Sequence, residues 1–379
     1  MVNDPVWVTG MAWSTGLGSE LKTVWEALLA GASAIDHVPT EHDLRSNLGV
    51  VLPGIPLEMP LAARQHALTR STMAAALNDA HLVADDPMLT AVLGTSYAHH
   101  LDDTETLSLS GWANNAVHAL GIKRSPIVVS TACSAGADAI QMGMSLIREG
   151  EAALCICGGA DILTPGKRLG HSRLGTLSPE GLHAFDTAHS GTVLGEGAAF
   201  IVLESQAHAS ARGAQPYGFI VGAGAANDAV NSVAPDASGQ HVICAVERAL
   251  VSASIECNDI ALISAHGTGT QLNDNVESLA YSSLFAHSAR APVVFATKGA
   301  LGHTLGATGA IETIAVLMAL NTRKAPPVCH LRHPLASLKL PIPIKTPMDV
   351  GKGYGINVTL GFGGFDTCLV LMGAYGRQS

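Results

Sequence analysis

A single cysteine stands where an apolar strand pattern changes into a helical one. Residues 125–136 read Ser-Pro-Ile-Val-Val-Ser-Thr-Ala-Cys-Ser-Ala-Gly, so Cys133 follows a β-branched run and precedes an amphipathic pattern. The free N–H groups and the positive dipole end of a helix N-terminus favour a thiolate over a thiol. A buried structural cysteine is the alternative, because that is the more frequent fate of a lone cysteine. Cys133 is therefore a candidate nucleophile at a strand-to-helix elbow.

Two histidines in the second half of the chain also follow candidate strands. His266 lies in Ser-Ala-His-Gly-Thr-Gly-Thr, residues 264–270, where two Gly-Thr steps expose backbone N–H groups. Lys298 and His303 precede the glycine-rich start of a helix within residues 296–312. Ligand sites of α/β folds form at strand ends. From the residues alone, each histidine is compatible with a structural or a catalytic role.

Common cofactor motifs do not fit these segments. Neither glycine-rich stretch matches the dinucleotide fingerprint or the phosphate-binding loop. The two histidines lack a well-spaced third metal ligand, and the cysteines show neither a zinc spacing nor a disulfide framework. We therefore expect no metal, nucleotide or flavin cofactor. The seven cysteines are Cys133, Cys155, Cys157, Cys244, Cys257, Cys329 and Cys368.

Composition narrows the class of protein. The chain has 379 residues, 47% hydrophobic and 14% charged, which is enough for a large core and predicts two domains or one duplicated domain. Its net charge of −10 gives no general attraction to nucleic acid or to an anionic membrane. No basic region with a following apolar stretch begins the chain, and no uninterrupted apolar run reaches about 18 residues. We expect a reduced, soluble, cytoplasmic protein without membrane insertion.

Apolar runs bounded by glycine predict buried strands, and helical patterns alternate with them. This alternation predicts sheets that are covered by helices on both faces. The predicted strands of the first half are residues 6–13, 90–96, 127–131, 152–160 and 198–203. Those of the second half are residues 217–223, 260–264, 293–296, 356–360 and 367–371. The predicted helices are residues 20–29, 71–80, 135–149, 240–254 and 307–320.

The two halves of this pattern look like coarse copies of each other. In each half an apolar strand leads into an elbow of small residues, at residues 131–136 and again at residues 360–364. Residues 204–215 are the expected joint. We predict one domain of residues 1–205, which carries the cysteine, and a second of residues 206–379, which carries both histidines.

The order of the motifs is more specific than any one of them. An elbow cysteine, a His-Gly-Thr-Gly-Thr turn, a Lys-x-x-x-x-His-x-x-Gly-Ala segment and a closing Gly-Phe-Gly-Gly follow one another. This set resembles the β-ketoacyl-acyl carrier protein synthases, the decarboxylating condensing enzymes of fatty acid and polyketide assembly. The resemblance implies an α/β thiolase-like fold, with two similar halves of five strands each in α-β-α-β-α layers. It covers residues 8–11, 25–31, 158–161, 185–186, 195–198 and 361–364 as well.

The resemblance implies a role for each candidate residue. Cys133 would take an acyl group from an acyl carrier protein as a covalent thioester. His266 and His303 would stabilise the enolate that forms when malonyl carrier protein loses CO₂. Lys298, paired with Glu312, would orient the second histidine and make the pocket electropositive. A simple salt bridge is the alternative for Lys298.

The closing loop would complete this site. The resemblance implies an oxyanion hole made by the backbone N–H groups of Cys133 and Phe362, with neighbouring glycines that let the loop swing. The phosphopantetheine arm of the carrier protein would pass Thr268 and Thr270, whose hydroxyls would hydrogen-bond its amides. The gate loop consists of Gly361, Phe362, Gly363, Gly364, Phe365 and Asp366.

Departures from the family pattern keep a second hypothesis open. Phe365 and Asp366 stand where the family usually continues with Thr-Asn. Thiolases use a second cysteine as acid and base, whereas Cys368 lies in a predicted strand. Starter-unit synthases that use coenzyme A have asparagine at the place of His303. The Cys-His-His set favours chain elongation, in fatty acid or in polyketide or aryl polyene-type synthesis, and the alternative is a chain-length-factor-like or specialised subunit with little autonomous activity.

Partners follow from the same resemblance. An acyl carrier protein is acidic, so its docking requires a positive patch. Residues 127–139 would lie at a two-fold interface, either in a homodimer or in a heterodimer with a homologous ketosynthase or chain-length factor. Side chains of the acyl tunnel are expected within residues 107–112, 136–141 and 163–177. The candidate docking residues are Arg64, Arg70, Lys123, Arg124, Lys167 and Arg168.

Overall fold

The computed structural model describes residues 4–103 and 108–374. In chain order the strands are β1 (Val6–Ser14), β2 (Asp36–His37), β3 (Leu48–Gly49), β4 (Leu89–Gly94), β5 (Ile127–Val129), β6 (Leu154–Asp161), β7 (Gly197–Glu204), β8 (Gly218–Asn227), β9 (Ile260–Ser264), β10 (Val293–Phe295), β11 (Lys324–Ala325), β12 (Met348–Asp349), β13 (Tyr354–Gly361) and β14 (Phe365–Gly373). The helices are α1 (Leu21–Leu29), α2 (Leu61–Asp79), α3 (Gly111–Leu120), α4 (Ala135–Arg148), α5 (Pro165–Arg173), α6 (Gln206–Ala211), α7 (Gln240–Ala253), α8 (Gln271–Leu284), α9 (Lys298–Leu301) and α10 (Thr308–Thr322).

The main sheet consists of two copies of one strand arrangement. Its order is β10-β9-β13-β14-β8-β1-β7-β6-β4-β5. The two halves are β1, β4, β5, β6, β7 and β8, β9, β10, β13, β14. In each half, the order from the outer edge of the sheet to its centre is the third, second, fourth, fifth and first strand of that half. The two first strands, β1 and β8, pair antiparallel from Val6 with Ile220 to Val8 with Gly218, and this short ladder joins the halves. The predicted duplication of a five-stranded sheet is confirmed.

Helices cover both faces of each half and fill the space between them. Helix α2, with α3 beside it, packs on the outer face of the first five strands, and α7 packs on the outer face of the second five. Helices α4 and α10 pack against each other and against both sets of strands. The predicted α-β-α-β-α layers are therefore present, with α4 and α10 as the middle layer.

The two central helices approach each other closely because glycines lie at their crossing. A Cβ atom on Gly309 would lie 2.7 Å from the Cβ of Ala137, and one on Gly136 would lie 2.7 Å from the carbonyl oxygen of Gly306. Close-packed interiors do not accommodate such overlaps. The glycines therefore let the N-terminal ends of α4 and α10 meet. One of these ends carries Cys133, and the other follows His303.

Several strands could be predicted from the sequence because they are buried on both faces. Every residue of β4, β6, β7 and β9 is buried, which matches their continuous apolar character. Helix α2 begins at Leu61, well before the predicted start at residue 71. The prediction missed the first turns because they lack a clear apolar period. The predicted domain boundary after residue 205 falls between β7 and α6 and stays a prediction.

The glycine-rich turn predicted at residues 360–364 does follow an apolar strand, but it is not the counterpart of the first elbow. Residues 360–364 form the turn between the antiparallel strands β13 and β14, not a strand-to-helix elbow. The counterpart of the first elbow is the 3₁₀ turn Leu305–Ala307, which enters α10 as the turn Ala132–Ser134 enters α4. Ala132 and Leu305 have the same positive φ of 52°, so the duplication extends to this backbone detail.

One helical segment, Leu305–Thr322, has the length and mean hydropathy of a membrane span. Within the protein 83% of this segment is buried, as the central helix of a layered fold requires. Among the residues that the structure describes, no other helix meets the same criteria.

Candidate active site

Cys133 lies in the 3₁₀ turn between β5 and α4, as the sequence predicts. Its side chain is 4% exposed, and the preceding Ala132 adopts the left-handed conformation with φ 52°. Asp138, in the first turn of α4, accepts hydrogen bonds from the hydroxyls of Thr131 and Ser134 on the elbow. Its second oxygen accepts from Thr367 of β14, at 2.5 Å. This carboxylate fixes the elbow and ties it to the strand that follows the gate loop.

The thiol of Cys133 is protonated in the resting site. Burial raises its pKa to about 12, although the charge of Lys298 and the N–H of Phe362 act in the opposite direction. Desolvation therefore outweighs the charge of Lys298 and the N–H of Phe362, and it favours the thiol over the thiolate expected from the sequence. The contact places the Phe362 N–H, one of the two groups predicted for the oxyanion hole, beside the sulfur of Cys133.

His266 is held by a buried carboxylate that the sequence analysis did not identify. Glu277 of α8 accepts from the backbone N–H groups of His266 at 2.7 Å and Gly267 at 2.6 Å. It also accepts from Asn273 at 2.7 Å and from the hydroxyl of Tyr281 at 2.6 Å. Four donors thus fix one carboxylate, and the loop after β9 cannot shift without breaking several of these bonds.

His303 presents an N–H group to the pocket. The backbone N–H of Leu305 donates to its Nδ1 at 3.3 Å, so Nδ1 holds the lone pair and the proton of the neutral ring lies on Nε2. The turn that supplies this N–H is anchored across the two halves, because Gly306 N–H donates to Asp161 at 2.7 Å. Asp161, at the end of β6, also accepts from Thr95 at 2.9 Å.

The three predicted reactive side chains come together. Cys133, His266 and His303 each contribute a sulfur or ring nitrogen, and these atoms lie within 4.8 Å of one another. The two imidazole rings are 5.3 Å apart and nearly perpendicular. Burial, reinforced by the charge of Lys298, lowers the pKa of both histidines well below the usual range, so both rings are neutral. One cysteine and two histidines at this spacing also have the donor set of a metal site.

Lys298 was predicted to orient the second histidine, but the hydrogen bonds that the described residues show for its ammonium go to other partners. Its ammonium donates to the carbonyl oxygen of His266 and, at 2.7 Å, to Glu312. It is therefore the first histidine whose backbone it holds. Burial raises the pKa of Glu312 to about 7, and the adjacent ammonium opposes this rise. The predicted Lys298–Glu312 pair is present, with each side chain 1% exposed.

The gate loop is held against the segment after β8. Gly363 N–H donates to the carbonyl of Ser232 at 2.9 Å, and Asn227 donates to the carbonyl of Gly363 at 2.9 Å. The ring of Phe362 stacks on His171 of α5 with centroids 5.4 Å apart. Asp366 is buried near Asp228, and burial followed by that like charge raises its pKa to about 8. Phe365, in contrast, is 39% exposed.

These elements enclose a cavity of about 170 Å³. The predicted residues Thr268 and Thr270 line it, and their hydroxyls hydrogen-bond each other at 2.9 Å. The cavity is lined by Cys133, His171, Thr176, Thr192, Asp228, Val233, Ala234, Pro235, His266, Thr268, Thr270, Leu272, Asn273, His303, Leu360, Gly361, Phe362, Gly364 and Asp366.

The sequence matches two family models that cover most of the chain. Residues 3–55 and 54–209 match the N-terminal domain of beta-ketoacyl synthases, and residues 217–332 match the C-terminal domain. The chain belongs to the β-ketoacyl synthase family.

Known members of the β-ketoacyl synthase family are similar over nearly their whole length. The 3-oxoacyl-[acyl-carrier-protein] synthase 2 of Mycobacterium bovis is 31% identical, over 98% of this chain and 96% of that protein. The structure of the ishigamide ketosynthase/chain length factor is 27% identical with a TM-score of 0.87, over 99% of this chain and 100% of that one. The beta-ketoacyl synthase from Burkholderia phymatum STM815 is 27% identical with a TM-score of 0.86, over 97% and 99%.

Three of the six basic residues predicted to dock a carrier protein are buried inside this synthase fold, so that prediction is wrong for them. Arg64 is 1% exposed and binds both oxygens of Glu196. Lys167 is 3% exposed and donates to Asp161 at 2.6 Å, and Arg168 donates to backbone carbonyl groups at 2.9 Å. The other three are exposed: Arg70, Lys123 and Arg124.

Several supporting residues of this site were missed at the sequence level. Asp274 and Glu277 are three residues apart in α8, and both are buried beneath the loop of His266. Asp274 accepts from Gly269 N–H at 3.1 Å and from Phe185 N–H at 2.7 Å. Carboxylates one helical turn apart, directly after a glycine-rich turn, are the signal that could have revealed them.

Proposed function

We propose that the chain is a decarboxylating acyltransferase, a β-ketoacyl-[acyl carrier protein] synthase that elongates acyl chains in fatty acid or polyketide synthesis. The observation that carries this proposal is the arrangement of Cys133, His266 and His303 within 4.8 Å in a buried cavity. The name of the mycobacterial relative, a 3-oxoacyl-[acyl-carrier-protein] synthase, supports the same activity.

The first half-reaction is transfer of the acyl group to Cys133. The sulfur attacks the thioester carbon of an acyl carrier protein, the thiol proton passes to the leaving phosphopantetheine sulfur, and an acyl-enzyme thioester forms. The N–H groups of Cys133 and Phe362 stabilise the oxyanion of the tetrahedral intermediate. One such donor is worth about 10²- to 10³-fold in rate.

The second half-reaction forms the new carbon–carbon bond. Malonyl carrier protein loses CO₂, and the two electrons of the broken bond become an enolate. The Nε2–H of His303, fixed by Leu305, donates to the enolate oxygen together with an N–H of His266. The enolate carbon then attacks the acyl thioester, the bond between the acyl carbon and the sulfur breaks, and Cys133 leaves as a thiolate that takes up one proton from solvent.

Lys298 and Glu312 act on this reaction through position and charge. The ammonium of Lys298 holds the backbone of His266 and lowers the pKa of the thiol and both imidazoles, which keeps the rings neutral as donors. Thr268 and Thr270 line the entrance where the phosphopantetheine arm passes. The gate loop swings at its glycines, and Gly363 and Gly364 have φ angles of 86° and 78°.

The partners follow from this chemistry. The substrates arrive on an acyl carrier protein, which meets the exposed residues Arg70, Lys123 and Arg124. The chain forms a dimer across its edge strand β5, where Ile127 is 37% exposed and Met142 of α4 is 42% exposed. We also propose two domains that meet after residue 205, a cytoplasmic location and a reaction without a metal or organic cofactor.

A specialised subunit of a ketosynthase heterodimer is the second candidate function. The observation that favours it is the gate, where exposed Phe365 and buried Asp366 replace the family's Thr-Asn. The similarity to a ketosynthase/chain length factor structure is compatible with this assignment. The retained cysteine and histidines favour autonomous catalysis, because buried, unpaired catalytic groups cost stability.

Intact-mass analysis tests the two candidates. The protein and its Cys133→Ala variant are incubated with acyl-loaded carrier protein, and then with malonyl carrier protein. A mass increase of one acyl group that is absent from the variant, followed by release of a product two carbons longer, is the expected result. Absence of an adduct across a range of chain lengths would contradict autonomous catalysis and favour the function as a specialised subunit.

A further inference from the structure

We propose that Cys133, His266 and His303 form a binding site for a zinc ion, which blocks the nucleophile reversibly. The site is inhibitory, because a sulfur that is bound to zinc does not attack a thioester. The inference goes beyond the proposed function, since the metal takes no part in the condensation. Among the residues that the structure describes, no other group of three or more His, Cys, Asp or Glu side chains has this close spacing.

The donor atoms of the three side chains lie near the spacing of a zinc site. The sulfur and one ring nitrogen of each histidine are within 4.8 Å of one another. Tetrahedral zinc has bonds of about 2.3 Å to sulfur and about 2.0–2.1 Å to nitrogen, so its neighbouring donor atoms are about 3.3–3.6 Å apart. Each pair of donor atoms therefore has to close by about 1.5 Å at most, which small rotations of the side chains supply.

The nitrogen that each ring offers to a metal is Nε2. Nδ1 of His266 is fully buried, and Nδ1 of His303 accepts from the backbone N–H of Leu305 at 3.3 Å. Both histidines and Cys133 line the cavity of about 170 Å³. The cavity leaves room for a water molecule as the fourth ligand, which completes a Cys-His-His-water set.

The ring of His266 is free to turn toward a metal. Its backbone is held by Glu277 and Lys298, but within the described residues neither ring nitrogen has a hydrogen-bond partner. Buried polar atoms without a partner are rare in folded proteins. Rotation of this ring therefore breaks no hydrogen bond, and zinc would give its Nε2 a partner.

His303 has the outer partner that a metal-bound histidine needs. When Nε2 binds zinc, the neutral ring carries its proton on Nδ1. The hydroxyl oxygen of Thr308 lies 3.1 Å from Nδ1 and accepts that proton, in place of the bond from Leu305. Metal-bound histidines usually donate their second N–H group to such an acceptor.

The charges around the site permit a divalent cation. The ammonium of Lys298 opposes it, but Glu312 accepts from that ammonium at 2.7 Å and offsets its charge. The thiol of Cys133 releases its proton to solvent as the sulfur–zinc bond forms, so the ligand set itself gains one negative charge. Two imidazoles and a thiolate suit zinc, whereas magnesium and calcium prefer oxygen ligands.

The test titrates zinc chloride into the protein in competition with a chromophoric chelator, which gives the affinity and the number of ions per chain. The background is the Cys244→Ser, Cys257→Ser variant, because these two cysteines are only partly buried and would bind zinc elsewhere. In it, Cys133→Ser removes the sulfur, His303→Asn removes one ring, and Thr308→Val removes only the outer partner. Cobalt(II) serves as a second probe, because a cobalt–thiolate bond has a charge-transfer absorption.

In the parent protein, which needs no substitution, the rate of Cys133 alkylation by iodoacetamide is measured with and without zinc. We expect one zinc ion per chain, protection of Cys133 by saturating zinc, and full recovery when a chelator is added. Thr308→Val should weaken zinc binding by about 10- to 100-fold. Cys133→Ser and His303→Asn should weaken it further, and Cys133→Ser should abolish the cobalt–thiolate absorption.

Equal zinc affinity in all variants, or alkylation that saturating zinc does not slow, would show adventitious binding only. That result would overturn this inference and leave the proposed function intact. Zinc binding as expected in a protein that acyl carrier protein never acylates at Cys133 would support this inference and overturn the proposed function. The two proposals therefore fail separately.

Discussion

Replacement of Arg64 by alanine should destabilise the protein without acting through a partner. Its guanidinium is buried and donates to Glu196 at 2.7 and 2.6 Å. Without it, Glu196 keeps two backbone donors, Leu52 N–H at 2.9 Å and Leu163 N–H at 3.1 Å, but carries an uncompensated buried charge. Removing one partner of a buried ion pair costs about 3–5 kcal/mol. We therefore expect Arg64→Ala to lower the free energy of unfolding by that amount.

Urea unfolding, followed by tryptophan fluorescence and circular dichroism, measures this change. Arg70→Ala is the matched control, because Arg70 lies in the same helix but is exposed, and its effect should stay within about 0.5 kcal/mol. The double variant Arg64→Met, Glu196→Gln removes both charges and keeps an acceptor for one of the two backbone N–H groups. It should recover about half of the lost stability or more, because no unpaired charge remains.

The result that would refute this reasoning is specific. If Arg64→Ala unfolds within about 1 kcal/mol of the parent while its affinity for acyl carrier protein falls, Arg64 acts at a docking surface after all. The affinity is measured by titration calorimetry on the same preparations. An unchanged slope of free energy against urea concentration is required for the comparison, since a changed slope would indicate a changed unfolded state.

Three further predictions follow from the site. The rate of Cys133 alkylation by iodoacetamide should rise about tenfold per pH unit from pH 7 to 10, because the thiol pKa is raised to about 12; a plateau near neutral pH would contradict this. In the parent protein the free energy of unfolding should fall by up to about 2–3 kcal/mol between pH 6 and 8, and Asp366→Asn should abolish this fall. The folded pKa of Asp366 is raised to about 8, so the folded state loses stability as pH rises, and urea titrations at both pH values measure it. Glu277→Gln should slow CO₂ release from malonyl carrier protein more than about 10-fold while Cys133 acylation changes little, because Glu277 holds the loop of His266; equal loss in both assays would contradict this role.

The sequence predicted those parts of the fold whose signals are local. Buried strands such as β6 appear as continuous apolar runs, and α7 appears as an amphipathic period with nearly the observed bounds, Gln240–Ala253. The candidate reactive residues could be located because each one follows such a strand. Strand order and the pairing of β1 with β8 could not be predicted from periodicity, because they depend on contacts between distant segments.

Helix α8 shows why part of the site escaped prediction. Its buried residues include Asn273, Asp274, Glu277 and Ser278 beside Val276, Ala280 and Tyr281, so polar residues interrupt the apolar stripe that marks a helix. Asp274 and Glu277 are buried because they accept hydrogen bonds from backbone N–H groups of the loop after β9. Local rules fail where function requires a polar interior. The interrupted amphipathic signal and the missed carboxylates therefore have one cause.

The prediction for three basic residues is wrong in the opposite sense, because residues that were expected at the surface are buried. Charged residues are more often exposed than buried, yet Arg64 and Lys167 are buried and paired with Glu196 and Asp161. Asp161 also anchors the turn after His303, so Lys167 stabilises a carboxylate on which the position of that histidine depends. The carboxylates of both pairs also accept hydrogen bonds from backbone N–H groups, so these buried charges fix the backbone around them. The residues that hold the histidines are thus as much part of the catalytic arrangement as the groups that meet the substrate.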